Sequence, residues 1–147
     1  MMNRRMSWLL IFAMAVAGFM SPNFAQASET EEKAVLDASG KFYSALNAMF
    51  TGDAGPMKDV WSHSDDVTYM GPDGGLQIGW DQVSANWEAQ AAMKLGGQVN
   101  PERMQVAVGQ DMAATSGYEI GENTNAQGKP QKVSIRATNL FRKENGQ

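Results

Sequence analysis

The single histidine, His63, stands in the stretch Trp61-Ser62-His63-Ser64-Asp65-Asp66-Val67-Thr68-Tyr69-Met70-Gly71-Pro72, which Gly79-Trp80 and Trp87 soon follow. An imidazole with an ordinary pKa of about 6.5 can move a proton near neutrality, and Asp65 or Asp66 could orient it. The competing reading is structural: His63 caps a short helix or hydrogen-bonds a loop carbonyl, because one histidine beside two acids is common by chance. Tyr69 and Tyr118 could donate hydrogen bonds to a carbonyl or oxyanion. Equally, they could be core bodies with one satisfied hydroxyl. Trp61, Trp80 and Trp87 could wall a pocket, although the helical spacing of the last two also suits a core stripe.

Other chemistries lack their parts. One histidine with scattered carboxylates does not supply the three or four convergent ligands of a zinc site, and Asp65-Asp66 has no calcium-loop pattern. The chain has no cysteine, which removes thiolate sites and disulfides alike. Ser62 and Ser64 flank His63 too tightly to imply a triad, and Gly71 to Gly75 lacks the lysine of a phosphate loop. No cofactor is expected.

Residues 1–27 read as a secretory signal peptide. Arg4-Arg5 gives a basic start, Trp8 to Met20 is apolar and uncharged, and Ala25-Gln26-Ala27 is a small-x-small cleavage signal. The apolar run is shorter than the roughly 20 residues that span a bilayer. Cleavage after Ala27 would deliver a periplasmic or secreted domain, 28–147, with no membrane attachment. Arg4-Arg5 hints at twin-arginine export, but Met6-Ser7 continues it weakly, which favours the general secretory route. Without Arg4 and Arg5, 10 of the 12 basic residues face 16 acidic ones, a net charge of −6. Nucleic acid is therefore an unsuitable partner.

The elements that must position the candidate residues follow from periodicity. Val35, Leu36, Phe42, Tyr43, Leu46, Met49 and Phe50 recur at helical steps behind a Ser28/Glu31 capping box, with Gly52 as the stop. Gly40 interrupts this helix at a cost of about 1 kcal/mol, which either a close backbone approach explains or nothing compensates. A short helix is predicted from Pro56 to Trp61, then a strand over Val67 to Met70 and a turn over Gly71 to Gly75. Trp80, Val83, Trp87, Ala91 and Leu95 form a second helical stripe closed by Gly96-Gly97. Alternation predicts strands over 104–108, 112–123 and 133–143, with Asp111 and Asn125-Ala126-Gln127-Gly128 as turns. Helices followed by antiparallel hairpins make an α+β domain. Asn145-Gly146 is a strong hairpin signal followed only by Gln147, so either a last strand is expected to be missing or Glu144 to Gln147 is a frayed tail.

This order of elements, together with Trp61-Ser62-His63, Asp66 to Pro72, Gly79-Trp80, Trp87 and Arg136-Ala137-Thr138-Asn139-Leu140-Phe141-Arg142, resembles exported SnoaL-like proteins of the nuclear transport factor 2-like superfamily. The resemblance spans nearly all of residues 30–147. It implies a cone, in which a curved antiparallel sheet wraps around the N-terminal helices and leaves a mostly apolar pocket at its open end. It also implies that a histidine-bearing strand would follow Asn145-Gly146, and that without it the strand 133–143 keeps an unpaired edge. In ketosteroid isomerases a carboxylate base faces the pocket; here Glu119 or Asp73 would have to serve, and neither matches that motif. Arg136 and Thr138 share one face of the last strand, and Asn139 lies on the other. The resemblance turns the Asn139 face inward. Arg136 reads as a carboxylate binder or, more simply, a solvated or intersubunit salt bridge.

Three functions are consistent with these residues, because fold alone does not decide among them. One is a pocket for a small, largely apolar molecule, lined by Trp61, His63, Tyr69, Trp87, Tyr118 and Asn139. Another is an acid/base enzyme of the isomerase, cyclase or dehydratase type, with His63 and Tyr69 as catalytic groups. The third is a homodimerisation module acting through the outer face of its sheet.

Overall fold

The computed structural model describes residues 28–125 and 127–146. The expected leader and its cleavage point, residues 1–27, lie outside the described residues, as do Ala126 of the expected turn and Gln147. Helix α1 (Glu29–Phe50) begins at the expected capping box: Glu31 N–H donates to Ser28 Oγ at 3.2 Å, and Ser28 N–H donates to the Glu31 carboxylate at 3.1 Å. It stops at Thr51, and Gly52 adopts φ +107°. Tyr43, Ala45, Leu46, Met49 and Phe50 form its buried face, whereas Leu36, expected on the same stripe, is exposed. At Gly40 the second alternative holds. A Cβ built there meets nothing within 4 Å, so no close approach explains it and the glycine simply weakens the helix.

Helix α2 (Gly55–Val60) has Pro56 in its first turn, where a missing N–H is harmless. Strands β1 (Thr68–Met70) and β2 (Leu76–Ile78) then form an antiparallel hairpin with Tyr69 opposite Gln77. Sequence reading missed β2, because three residues are too few for a periodic signal. Helix α3 (Trp80–Ala92) buries Val83, Trp87 and Ala91 but ends before Leu95, which packs on the core from the following loop.

Strands β3 (Gln98–Val108), β4 (Met112–Thr124) and β5 (Pro130–Arg142) make an antiparallel sheet in the order β3-β4-β5. The start of β3 was hidden by Pro101, which an edge strand tolerates, and by a bulge between Glu102 and Gln105 that breaks the alternation. At the bulge Arg103 takes φ +54°. The extra residue bends the strand. Opposite it stands Gly117, where a Cβ would lie 2.8 Å from the Glu102 carbonyl and 3.1 Å from Met104 Cα. Only glycine fits against that backbone. At the end of β5, Asn145 and Gly146 have φ of +53° and +84°, the sense that a type I′ turn requires.

The long helix packs across β3 and β4, and its position is fixed by a side chain. Asn47 Nδ2 donates to the Val99 carbonyl at 2.9 Å while Val99 N–H donates to Asn47 Oδ1 at 2.9 Å. Val99 is 1% exposed and lies opposite Gly121 on the sheet's edge strand, so its outward backbone groups would otherwise be buried unpaired. No helix among the described residues is long and apolar enough to cross a membrane.

Two substitutions test these assignments in urea unfolding. Gly40→Ala should stabilise the domain by about 1 kcal/mol through helix propensity alone. Asn47→Ala should cost about 2 kcal/mol by stranding the Val99 groups, and a loss no larger than that of an exposed alanine substitution would contradict the clamp.

Candidate functional site

The inner face of the sheet is set by strand periodicity. Thr115, Gly117 and Glu119 of β4 share one face with Ala137, Asn139 and Phe141 of β5, and the register places Thr115 opposite Asn139 and Gly117 opposite Ala137. Gly117 leaves room on this face that the Met104 side chain occupies. Helix α1 lowers Tyr43 onto this face, beside Glu119 and Asn139. The Tyr43 hydroxyl, the Thr115 hydroxyl and Asn139 Nδ2 are all sealed from solvent without a hydrogen-bond partner. Of the three, the Tyr43 hydroxyl lies near enough to Asn139 and Glu119 for both to shift its ionisation. Native interiors pair nearly all such groups, so three orphans facing one region mark it as unusual.

Burial dominates the electrostatics there. The Tyr43 hydroxyl is pushed up to about 12, first by burial and then by the nearby Glu119 charge. Glu119 itself is raised above the ordinary carboxylate range by burial, against a smaller lowering by Tyr43. The inward positions of the three strands carry no Lys, Arg or His. Glu119 therefore has no cation on this face to offset its desolvation. Among the described residues no three His, Cys, Asp or Glu side chains are grouped to hold a metal ion.

An aromatic wall flanks the polar group. Trp61 meets Tyr69 edge-on at 6.0 Å and Trp87 at 5.2 Å, Tyr69 lies 4.2 Å from Trp87, and Phe42 meets Trp61 at 6.4 Å. These geometries suit the ring quadrupoles. The Tyr69 hydroxyl accepts from Gln90 Nε2 at 3.3 Å, and its ionisation is pushed up by burial. Trp87 Nε1 is buried without an acceptor.

The other candidates are placed elsewhere. His63 is exposed, stacks on Trp80 at 3.9 Å and 17°, and its Nε2 lies 2.8 Å from the Lys58 carbonyl. That is the loop-carbonyl contact offered as its structural reading, and no hydrogen bond joins His63 to Asp65, Asp66 or Tyr69 among the described residues. Asp66 does not orient the imidazole. Its carboxylate takes the Arg142 guanidinium at 2.7 and 3.1 Å and is held down to about 2, first by Arg142 and then by Ser64. Tyr118 also lies apart from the inner face. It lies on the outer face of β4, 39% exposed, opposite Glu102 and Arg136, because period two turns it away from its neighbour Glu119. Asp73 sits in the hairpin turn and accepts from Gly75 N–H at 3.1 Å.

Of the expected pocket residues, Trp61, Tyr69, Trp87 and Asn139 thus line or flank the inner face, while His63 and Tyr118 do not. Sequence reading missed Tyr43 and Thr115 as polar groups of the site. Tyr43 sat on an apolar helical stripe, and Thr115 lay in an alternating strand whose inward phase could have found it. Two open hollows mark the outer surface, one of about 650 Å³ beside Gly40 and Pro56 and one of about 300 Å³ beside Val108 and Leu140. Neither is lined by the Tyr43 group.

Comparison with known proteins follows this geometry. The sequence profile of a SnoaL-like domain matches residues 35–147. Among solved structures, a protein of the nuclear transport factor 2-like family from Streptomyces avermitilis, for which dehydratase activity has been suggested, is 20% identical with a TM-score of 0.69, over 80% of this chain and 90% of that one. A superfamily member from Salmonella enterica serovar Typhimurium is 14% identical with a TM-score of 0.68, over 81% and 84%. A protein from Thiobacillus denitrificans, suggested to be a calcium/calmodulin-dependent protein kinase type II association domain, is 23% identical with a TM-score of 0.60, over 74% and 82%. These likenesses establish the cone-type α+β fold; the sheet here is not closed. No curated protein sequence matches the chain.

The raised Glu119 pKa makes a signed prediction. A carboxyl whose folded pKa exceeds its unfolded value contributes most stability below the unfolded pKa and loses it as pH rises through the folded one. Glu119→Gln should therefore raise the melting temperature at about pH 7, with the advantage shrinking towards about pH 3. A variant less stable than the parent at neutral pH would show that the Glu119 charge is compensated.

Proposed function

Since the chain belongs to the SnoaL-like domain family, whose members include isomerases, cyclases and dehydratases, we propose that it binds a small molecule on the inner face of its sheet. Tyr43, Thr115, Glu119 and Asn139 supply the polar contacts, and Trp61, Tyr69 and Trp87 flank an apolar body. The observation that carries this reading is the set of three buried groups without a geometric hydrogen-bond partner, Tyr43 Oη, Thr115 Oγ1 and Asn139 Nδ2, with Thr115 opposite Asn139 and Tyr43 near the half-buried Glu119. Leaving such groups unpaired costs about 1–3 kcal/mol each, a cost that hydrogen bonding to a ligand would offset. The ligand enters by displacing the side chains that cover these atoms.

The same arrangement supports an acid/base reading. A carboxylate with a raised pKa can take a proton, and a neighbouring tyrosine hydroxyl can donate to a developing oxyanion. This version does not use His63, whose Nε2 lies 2.8 Å from the Lys58 carbonyl. Binding in either version is tested by screening neutral aromatic fragments by saturation-transfer NMR. Fragments retained by the parent should weaken about tenfold, near 1.4 kcal/mol, with Asn139→Leu or Tyr43→Phe. Fragments that bind both variants as well as the parent would place the site elsewhere.

We also propose that the outer face of β3-β4-β5 joins two copies of the domain. Met112, Tyr118 and Leu140 lie outward there, and Leu140 is 71% exposed, apolar side chains that a second copy would cover. Light scattering should give a dimer that Leu140→Lys dissociates; a monomeric parent would rule the pairing out.

A further inference from the structure

Residues 61–67, between α2 and β1, form neither helix nor strand. The two ends of this segment pack on the core through Trp61 and Val67. Between them, among the described residues, the backbone of 62–66 makes one hydrogen bond to other backbone, accepted by the Ser64 carbonyl from Val67 N–H at 3.4 Å. Alternate side chains hold the segment in its place. Ser62, Ser64 and Asp66 all meet the Arg142 guanidinium, whose Nη1 and Nη2 donate to the two Asp66 carboxylate oxygens at 2.7 and 3.1 Å. Arg142 Nη2 also lies 2.9 Å from Ser64 Oγ and 3.4 Å from Ser62 Oγ. Glu144 completes the group, one of its oxygens accepting from Arg142 Nη2 at 2.9 Å and from Ser62 Oγ at 2.7 Å. His63 turns the other way, onto Trp80.

The two sides of this contact are unequal. Arg142 ends a strand that is paired with β4 over its whole length, and Lys143 beyond it still donates its N–H to the Asp111 carbonyl at 2.9 Å. The segment 62–66 has no such ladder, so breaking the contact frees the segment and not the strand. Its bidentate arginine–carboxylate geometry makes the contact specific, and its exposure makes it easy to break. The Arg142 and Asp66 side chains are 40% and 67% exposed, and attraction between such charges fades as salt shortens the Debye length from about 30 Å at 0.01 M to about 3 Å at 1 M. We infer that the segment 62–66 is a flap latched to the end of β5 by Arg142, and that ionic strength releases it. Its release loosens Trp61 from its contacts with Tyr69 and Trp87. The latch stands whether or not a ligand binds the inner face.

Because the chain has no cysteine, a single introduced thiol carries a spin label at one place. A nitroxide on Asp65→Cys, an exposed position outside the Arg142 contacts, reports the flap by electron paramagnetic resonance. Between about 10 mM and about 1 M NaCl the ratio of mobile to immobile label should rise about fivefold, the scale on which exposed ion pairs act. A label on Ser116→Cys, exposed on β4, should not respond. Adding Arg142→Gln should give the mobile spectrum already in low salt, with no further loosening by salt. Lys143→Gln removes the neighbouring charge, whose partner is Glu31 on α1, and should leave the flap immobile. An Asp65→Cys spectrum that ignores salt overturns the latch by itself, even if Arg142→Gln fails to fold. Equal loosening by Lys143→Gln, or an equal response of the β4 label, overturns it too, since Arg142 would then be one surface charge among others.

Discussion

The pair of hydrogen bonds between Asn47 and Val99 is the constraint on which the arrangement of the domain depends. A long amphipathic helix lying on a sheet can slide or rotate, because burial of apolar area is non-directional. A side-chain amide that takes both the N–H and the carbonyl of one edge residue removes that freedom. It also covers part of an edge that would otherwise offer unpaired backbone groups. Tyr43 lies one helical turn before Asn47, on the same side of α1. Fixing Asn47 over β3 therefore fixes the Tyr43 hydroxyl over Glu119 and Asn139, and a structural clamp becomes the element that assembles the polar group.

The sheet beneath is shaped to receive it. Arg103 accepts a left-handed backbone, at a cost of about 1–2 kcal/mol, and the bulge it creates bends β3 over Gly117. Local strain and a glycine that cannot be replaced meet next to the polar residues, where bulges commonly re-aim side chains. The inner face thus departs from what stability alone would favour: orphaned donors, a desolvated carboxylate and an unusual backbone at one place. Departures of this kind are expected where a fold serves a function.

At the rim, charge does the positioning. Arg142, leaving β5, holds Asp66 and Glu144, and the adjacent Lys143 pairs with Glu31 at the start of α1. Exposed pairs of this type add little stability, yet they tether the loop after α2 and the first turn of α1 to the same strand end. The loop carries Trp61 into its contacts with Tyr69 and Trp87. His63 lies there as well, stacked on Trp80.

The sequence by itself determined what depends on local periodicity and local chemistry. The Ser28/Glu31 box, the stripes of α1 and α3, the alternation of β4 and β5, and the inward phase of Asn139 are all short-range consequences of 3.6- and 2-residue repeats. The family resemblance rested on the order of those elements. It was silent where a signal was too short, as in β2, or interrupted, as by Pro101 and the bulge in β3. It left Gly40 undecided, because open space around a residue has no local signature. Only the tertiary structure decided which polar groups meet. Asp66 lies 76 residues from Arg142 and Asn47 lies 52 from Val99, and no periodic pattern encodes partners at that separation. Tyr43 looked like one more apolar stripe residue until packing set its hydroxyl beside Glu119 and Asn139, so the proposed site rests on contacts between elements and not on the histidine motif.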